Sequence, residues 1–182
     1  MEEYSDKALL QQFEVEGTRP HAFNLIVKKY QERLYWHIRR MVVDHDDAND
    51  VLQNAWIKVW NGLVKFRSEA GLYTWMYRIA TNESLTFLNK KKKKFLIPLA
   101  DIENQLSQSM EGDVYFSGDA IQLKLQKAIL SLPEKQRTVF NMRYNDEMKY
   151  KEMSEVLGTS VGALKASYHH AVKKIENFIS GD

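Results

Sequence analysis

The chain has 182 residues, of which 44% are hydrophobic and 27% charged, a balance that excludes wholesale disorder and favours a packed globular protein. It contains no cysteine, which excludes disulfides, thiolate metal sites and a cysteine nucleophile. The net charge of +2 does not by itself indicate a nucleic-acid-binding protein. No apolar run reaches the roughly 18 residues of a membrane span and the N-terminus is acidic, so we expect a cytoplasmic protein.

Apolar residues recur at helical spacing in the first half of the chain and predict four helices. The first covers about residues 5–16, and the second starts at Pro20, since proline suits the first turn of a helix. The third and fourth cover about residues 46–63 and 72–94, with the break placed at Gly62 and at residues 67–71. Together these helices predict a bundle in residues 1–94.

The next segment, residues 95–119, has the composition of a linker. It contains Pro98, two glycines, scattered apolar residues without a period, and five acidic residues with no lysine or arginine. Such a segment cannot bury enough apolar surface to fold by itself. We therefore expect it to be poorly ordered and to let the flanking domains reorient.

Helical spacing resumes in residues 120–182 and predicts four more helices, of which the last two cover about residues 150–157 and 160–179. Met153, Leu157, Gly158 and Leu164 have the arrangement of a helix-turn-helix, although this spacing alone fits an ordinary helical hairpin equally well. The sequence therefore predicts an all-α protein: an N-terminal helical bundle and a C-terminal helix-turn-helix domain joined by a flexible linker.

The last helix has one apolar stripe and one outward face. Its stripe of Leu164, Tyr168, Val172 and Ile175 should pack inward. The opposite face begins with small residues, which lets a helix approach DNA bases closely; it comprises Gly162, Ala163, Ala166, His169, His170 and Lys173. Lys165 and Lys174 lie at its margins and would meet phosphates. The two histidines could instead suggest a metal site, but neighbouring helical residues diverge by about 100° and no further ligand is near in sequence.

The third helix also has two different faces. Its predicted core stripe consists of Ala48, Leu52, Ala55, Val59 and Leu63, whereas the opposite face carries Asp47, Asp50, Gln53, Asn54, Ile57 and Asn61, with Trp60 at the edge. A solvated face is one interpretation. An exposed apolar centre inside a polar rim is more typical of a protein-binding surface.

The fourth helix places polar and aromatic residues in one row. Trp75, Arg78, Asn82, Thr86 and Asn89 share a stripe that leads into the lysines of residues 90–94, while Met76, Ala80 and Phe87 take the core side. A run of lysines is often only a solvated helix end. Here it extends a row with an aromatic ring, a guanidinium and amides, which suits unstacked bases and a phosphate backbone.

Four segments carry a resemblance to a known family. They are DANDVLQNAWIKVW (residues 47–60), FRSEAGLYTWMYRIATNESLTFLNKKKK (66–93), LPEKQRTVFNMRY (132–144) and YKEMSEVLGTSVGALKASYHHAVKKI (150–175). In this order and spacing the chain resembles the extracytoplasmic-function (ECF) sigma factors of bacterial RNA polymerase, within the sigma-70 family. The resemblance implies that residues 1–94 bind core polymerase and the −10 promoter element and that residues 120–182 read the −35 element.

The resemblance also assigns roles to individual positions. Asp47, Asp50, Gln53 and Trp60 fall on the family's polymerase-clamp helix, whose predicted contact face includes Asn54 and Ile57, and Asn82 falls in the segment that captures a flipped base. Lys165, Ala166 and Ser167 fall where the family commonly has Lys-Ser-Arg. Because this sequence departs there, the −35 sequence of typical members cannot be transferred. An anti-sigma factor is implied by the family alone.

Two other functions are alternatives. A transcription regulator would bind duplex DNA through its C-terminal helices and use the N-terminal domain as a sensor. A nucleic-acid enzyme would need an HxE metal motif, a glycine-rich phosphate loop or a carboxylate pair, whereas the acidic residues at positions 44–50 spread around a helix start, where acids are favourable. We therefore predict a binding protein without catalytic residues or a cofactor: a sigma factor that directs promoter recognition, DNA opening and transcription initiation.

Overall fold

The computed structural model describes residues 4–67, 71–95 and 120–181, with the side chains of 92–95 excluded. The N-terminal bundle consists of α1 (Asp6–Glu14), a 3-10 turn (Glu16–Thr18), α2 (Arg19–Val42), α3 (His45–Leu63) and α4 (Leu72–Phe95). Side chains cap the N-termini of α1 and α3. Ser5 accepts a hydrogen bond from the Ala8 amide at 3.2 Å, and Asp44 accepts hydrogen bonds from the amides of Asp46 and Asp47. These are the free donors that every helix N-terminus presents.

The C-terminal domain consists of α5 (Ala120–Leu130), α6 (Glu134–Phe140), a π-helical segment (Asn141–Asn145), α7 (Tyr150–Leu157) and α8 (Val161–Ser180). Gly158 ends α7 in the left-handed conformation with φ 63°, and Ser160 caps α8 by accepting from the Ala163 amide. The short turn between the two helices gives the predicted helix-turn-helix.

The described residues contain helices and no strand, so the predicted all-α class is confirmed. The boundaries of α7 agree with the prediction, and those of the other helices differ by a few residues. The linker predicted over residues 95–119 lies outside the described residues from position 96 onward, and it stays a prediction.

The third helix ends at Leu63 as predicted, and Gly62, which was assigned to the break after it, lies in its last turn. A Cβ atom at position 62 would lie 2.7 Å from the Trp75 ring of α4. Glycine is therefore present to let the two helices approach closely, not to end a helix.

The N-terminal bundle and the C-terminal domain share apolar packing. Val139, Met142, Met148 and Met153 are buried in the same cluster as the core of α1–α4. A second cluster, formed by Ala128, Ile129, Leu132, Phe140, Ala171 and Ile175, holds α5, α6 and α8 together. Each domain thus has helices packed on its own core, and the two domains also bury apolar side chains against each other.

We expect Gly158→Val to destabilise the helix-turn-helix. A β-branched residue at φ 63° costs about 1–2 kcal/mol, because Cβ approaches the following carbonyl. A thermal melt should show a loss of about 2–8 °C. Gly162→Ala is the matched control. Gly162 lies in the first turn of α8, and a Cβ atom added there would meet no atom within 4 Å, so this variant should gain stability or stay unchanged. Equal melting temperatures for the two variants would contradict the role of the left-handed turn.

Candidate nucleic-acid and protein interfaces

An apolar groove lies between α2 and α3. Ile57 is 54% exposed and Trp60 37% exposed, and the exposed polar side chains of Asp50 and Gln53 line the same groove. The Trp60 ring is held in place by edge contacts, with ring centroids 5.4 Å from Phe13 and 5.0 Å from Phe23. An exposed apolar centre on a rigid support is the geometry of a protein-docking surface.

The groove has a volume of about 650 Å³ and is wider than the predicted face of α3. Its lining residues are Phe23, Val27, Gln31, Asn49, Asp50, Leu52, Gln53, Trp56, Ile57 and Trp60. Sequence reasoning placed Leu52 in the core, whereas the structure leaves it half-buried in the groove wall together with Phe23 and Val27. Apolar side chains at the edge of a stripe give no sequence signal that distinguishes core from groove.

Asp47 lies apart from the rest of the predicted polymerase-binding face. Its carboxylate is half-buried and forms an ion pair with Lys91 near the end of α4, with Nζ 2.5 Å from Oδ2. This pair ties the start of α3 to the last turns of α4. Of the other five predicted residues, Asp50, Gln53, Ile57 and Trp60 line the groove, whereas Asn54 is exposed outside it.

The row on α4 is exposed along most of its length. Arg78, Asn82, Thr86 and Asn89 are all exposed, and residues three and four apart on a helix are neighbours. Trp75 differs because its ring is half-buried and lies 4.8 Å from the Phe66 ring. The guanidinium, the two amides and the hydroxyl of the row are therefore accessible to a ligand, whereas the indole of Trp75 is accessible only in part.

The outward face of α8 is present as predicted. Gly162, Ala163, Lys165, Ala166, His169, His170 and Lys173 are exposed, and Ser167 is half-buried. Leu164 and Ile175 are buried, and the ring of Tyr168 stacks on Phe140 at 5.7 Å. Most side chains of the face that could enter a major groove are thus accessible to solvent.

The rings of His169 and His170 are 6.0 Å apart. Within the described ranges, no group of three or more histidine, aspartate or glutamate side chains is arranged to hold a metal ion. Among the same residues, no helix is long and apolar enough to cross a membrane.

A buried polar cluster, which sequence reasoning missed, lies where the two domains meet. We call it the junction cluster; it consists of His37 and Arg40 from α2, Tyr77 and Thr81 from α4, and Asp146 from the C-terminal domain. The His37 side chain is fully buried and that of Asp146 is only 7% exposed. Burial, and then the Asp146 carboxylate, raises the pKa of the Tyr77 phenol well above its ordinary value, so this hydroxyl stays protonated.

Comparison with family models matches the two halves of the chain separately. Residues 26–94 match the model described as Sigma-70 region 2, and residues 122–175 match the model described as Sigma-70, region 4. The first match covers most of α2 together with α3 and α4, and the second covers α5 to the middle of α8. The first match therefore includes the α3 side of the groove and the row on α4, and the second includes the outward face of α8.

Curated relatives match over most of their length. The ECF RNA polymerase sigma factor SigW of Bacillus subtilis is 32% identical, with 81% of this chain and 83% of that protein covered. The RNA polymerase sigma-H factor of Pseudomonas aeruginosa is 30% identical over 85% of this chain and 84% of that protein. The ECF RNA polymerase sigma-E factor of Escherichia coli K12 is 29% identical, with 97% and 95% covered.

Two solved structures have a similar fold. CnrH in complex with the cytosolic domain of CnrY gives a TM-score of 0.70 at 20% identity, covering 97% of this chain and 98% of that one. The sigma factor RpoE of Bartonella quintana, in complex with the anti-sigma factor NepR, gives 0.67 at 18% identity, with 88% and 98% covered. These likenesses extend across both domains.

Proposed function

Since the chain belongs to the ECF sigma factors of RNA polymerase, we propose that its three surfaces divide promoter recognition between polymerase and two DNA elements. As a sigma factor the chain binds core RNA polymerase and directs it to promoters. The observation that carries the assignment of surfaces is the presence, in one chain, of an open apolar groove and two separate exposed polar helix faces. In this proposal residues 1–94 are region 2, 95–119 are the linker and 120–182 are region 4.

The groove of α2 and α3 receives core polymerase. Ile57 and the exposed edge of Trp60 supply apolar contact area, and Asp50, Gln53 and Asn54 fix orientation at the rim. Asp47 contributes from the end of the face, where its pair with Lys91 leaves the carboxylate partly accessible. Phe23 and Val27 of α2 extend the docking surface beyond the residues predicted from sequence.

The row on α4 holds the −10 element. Asn82 offers both a donor and an acceptor to a base edge, and Arg78 and Asn89 lie one to two turns away for backbone or base contacts. Thr86 offers a hydroxyl, and the exposed edge of Trp75 offers a surface on which a base can stack. Opening of the duplex is favoured because unstacked bases gain these contacts.

The outward face of α8 reads the −35 element in the major groove. Gly162, Ala163 and Ala166 allow close approach, and His169 and His170 supply polar groups to base edges. Lys165 and Lys174 lie at the margins of the face, where they would contact phosphates, and Lys173 and Ser167 add further polar groups to the −35 set. Because this chain has alanine at 166 and histidines at 169 and 170, we expect its preferred −35 sequence to differ from that of typical family members.

We further propose that the chain acts by binding alone, without catalytic residues or a cofactor, in the cytoplasm where RNA polymerase is found. By analogy with the B. quintana RpoE–NepR complex, we propose that an anti-sigma factor regulates it.

In vitro transcription with core polymerase on genomic fragments tests the function and identifies the promoters together. We expect specific transcripts only when both the chain and core polymerase are present. A regulator of duplex DNA would instead protect promoter DNA by itself in a footprinting assay. Protection by the isolated chain, combined with no transcription from core polymerase, would favour the regulator.

A further inference from the structure

The Trp75 ring, the first member of the −10 row, is held by residues outside its own helix. The ring is half-buried, and its six-membered part faces Gly62 in the last turn of α3. A Cβ atom at position 62 would lie 2.7 Å from Cζ2 of the indole and 3.1 Å from Cη2. From the other contact, the Phe66 ring lies 4.8 Å away between centroids and is tilted by 42°. The position of the indole therefore depends on α3 and on the turn that follows it.

The backbone gives no reason for glycine at position 62. Gly62 lies inside α3 and is not among the described glycines with positive φ, which are Gly158 and Gly181. Glycine is also, after proline, the least favourable residue inside a helix. The ring gives the reason instead, because carbon atoms pack best at about 3.5–4.0 Å and a separation of 2.7 Å is repulsive. The missing side chain leaves a seat for the indole.

Ion pairs on both sides of the seat hold α3 and α4 at a fixed separation. The Lys91 ammonium lies 2.5 Å from the Asp47 carboxylate, and Lys58 pairs with Glu83 nearer to the middle of the two helices. Buried apolar residues of both helices belong to one core cluster, and such cores resist small changes of volume. A side chain added at position 62 should therefore displace the indole and not the helices.

The turn after α3 places Phe66 against the same ring. The Lys65 amide donates to the Gly62 carbonyl at 3.0 Å, and the Phe66 amide donates to the Leu63 carbonyl at 3.1 Å. These two hydrogen bonds fold the chain back immediately after the helix. Gly62 and Phe66 thus form one structural unit around the Trp75 ring.

The fixed ring lies at the beginning of an accessible row. Arg78 and Asn82 follow Trp75 at spacings of three and four residues and are exposed, so they are neighbours on one side of α4. Aromatic stacking requires a defined ring plane. A ring that is already held in that plane loses little conformational freedom when a base stacks on it.

We propose that Gly62 and Phe66 are positioning residues for promoter opening, which hold the Trp75 indole in the pose on which an unstacked base of the −10 element stacks. The proposal rests on the proposed function, because the ring acts only where the row on α4 holds unstacked DNA. Neither residue has to contact DNA. Their substitution should lower promoter opening while polymerase docking and −35 binding continue.

Reconstituted holoenzyme on a promoter tests this with two measurements on the same complexes. Permanganate reactivity of −10 thymines measures opening, and a footprint over the −35 element measures binding. Gly62→Ala should lower the ratio of opening to −35 protection by on the order of tenfold, the scale of one base–aromatic stack. A general loss of folded chain would lower both signals together and leave the ratio unchanged, which would contradict positioning.

Gly71→Ala is the matched control, because it makes the same change just before α4. A Cβ atom there would have the Thr74 hydroxyl, at 3.8 Å, as its nearest neighbour, so this variant should keep the ratio of the parent. If circular dichroism shows that Gly62→Ala does not fold, Phe66→Leu decides. It removes the second ring contact and should lower the ratio in the same direction, and an unchanged ratio in Phe66→Leu would then overturn the proposal.

A conservative change of the ring provides the rescue. Trp75→Phe removes the Cζ2 and Cη2 atoms that a Cβ atom at position 62 would meet. The double variant Gly62→Ala with Trp75→Phe should therefore open promoters as well as Trp75→Phe alone. If Gly62→Ala causes the same loss with and without Trp75→Phe, Gly62 does not act through the ring and the proposal is overturned.

Fluorine NMR separates this proposal from the proposed function, because it needs only the free chain. The sequence has four tryptophans, and the signal of Trp75 in fluorotryptophan-labelled chain is the one that Trp75→Phe removes. Gly62→Ala should shift this signal more than those of Trp36 and Trp56, and Gly71→Ala should not. A shifted signal with a parent that does not transcribe means that the ring placement stands and the proposed function fails. An unshifted signal with a parent that transcribes overturns the placement and leaves the proposed function standing.

Discussion

Replacement of Asp50 and Ile57 together by alanine is expected to abolish co-purification of the chain with core RNA polymerase. Ile57 is 54% exposed in the free chain. An apolar side chain left in water contributes no stabilisation unless a partner covers it. Asp50 lies beside it on the groove wall, and truncation of a charge that is buried and paired across an interface costs about 2–5 kcal/mol. Transcription in vitro should be lost in parallel.

The fold should survive this double substitution. Both side chains are exposed, and alanine is the residue with the highest helix propensity, so circular dichroism and the melting temperature should stay near those of the parent. Glu14→Ala with Val64→Ala removes an exposed carboxylate and an exposed branched side chain outside the groove, and this control should keep polymerase binding. A folded double variant that still transcribes would show that polymerase docks elsewhere.

Elements with a strong local pattern were predicted from the sequence. In α7 the apolar spacing and Gly158 give Tyr150–Leu157, and in α8 the stripe through Leu164 and Ile175 assigns the outward face. Both helices bury one narrow stripe and expose the rest, so periodicity alone determines which residues face solvent.

Features that depend on distant parts of the chain were not predicted. Asp146 and His37 are 109 positions apart, and no local pattern relates them. The packing reason for Gly62, the Trp75 ring, lies on another helix and has no local signal. The π-helical segment at Asn141–Asn145 has no composition signal, and Leu52 changed from core to groove wall because α2 leaves that side uncovered.

The polymerase groove and the junction cluster lie on different surfaces of the bundle. The groove residues Asp50 and Ile57 belong to α3, whereas the junction is formed by α2, α4 and the C-terminal domain. Substitutions in one surface should therefore leave the other intact. The same independence should hold between the two DNA-reading faces, which lie on α4 and α8.

His170→Ala is accordingly expected to change discrimination among −35 sequences and to leave −10 preference intact, and Asn82→Ala is expected to do the converse. Both side chains are exposed on different helices, so neither substitution should disturb the core. A base contact contributes roughly 1–3 kcal/mol of discrimination, which corresponds to about tenfold or more in the ratio of preferred to changed promoter. Transcription by the reconstituted holoenzyme from promoters altered at one element at a time measures both ratios.

The chain supplies a matched control for each of these variants. His21→Ala and Asn24→Ala remove the same side chains from exposed positions of α2, outside both faces, and should change neither ratio. Phosphate contacts, by contrast, weaken all sequences together, because the backbone carries no sequence information. If His170→Ala and Asn82→Ala lowered transcription from every promoter by the same factor, these residues would contact the backbone, and base readout would have to come from other residues of α4 and α8.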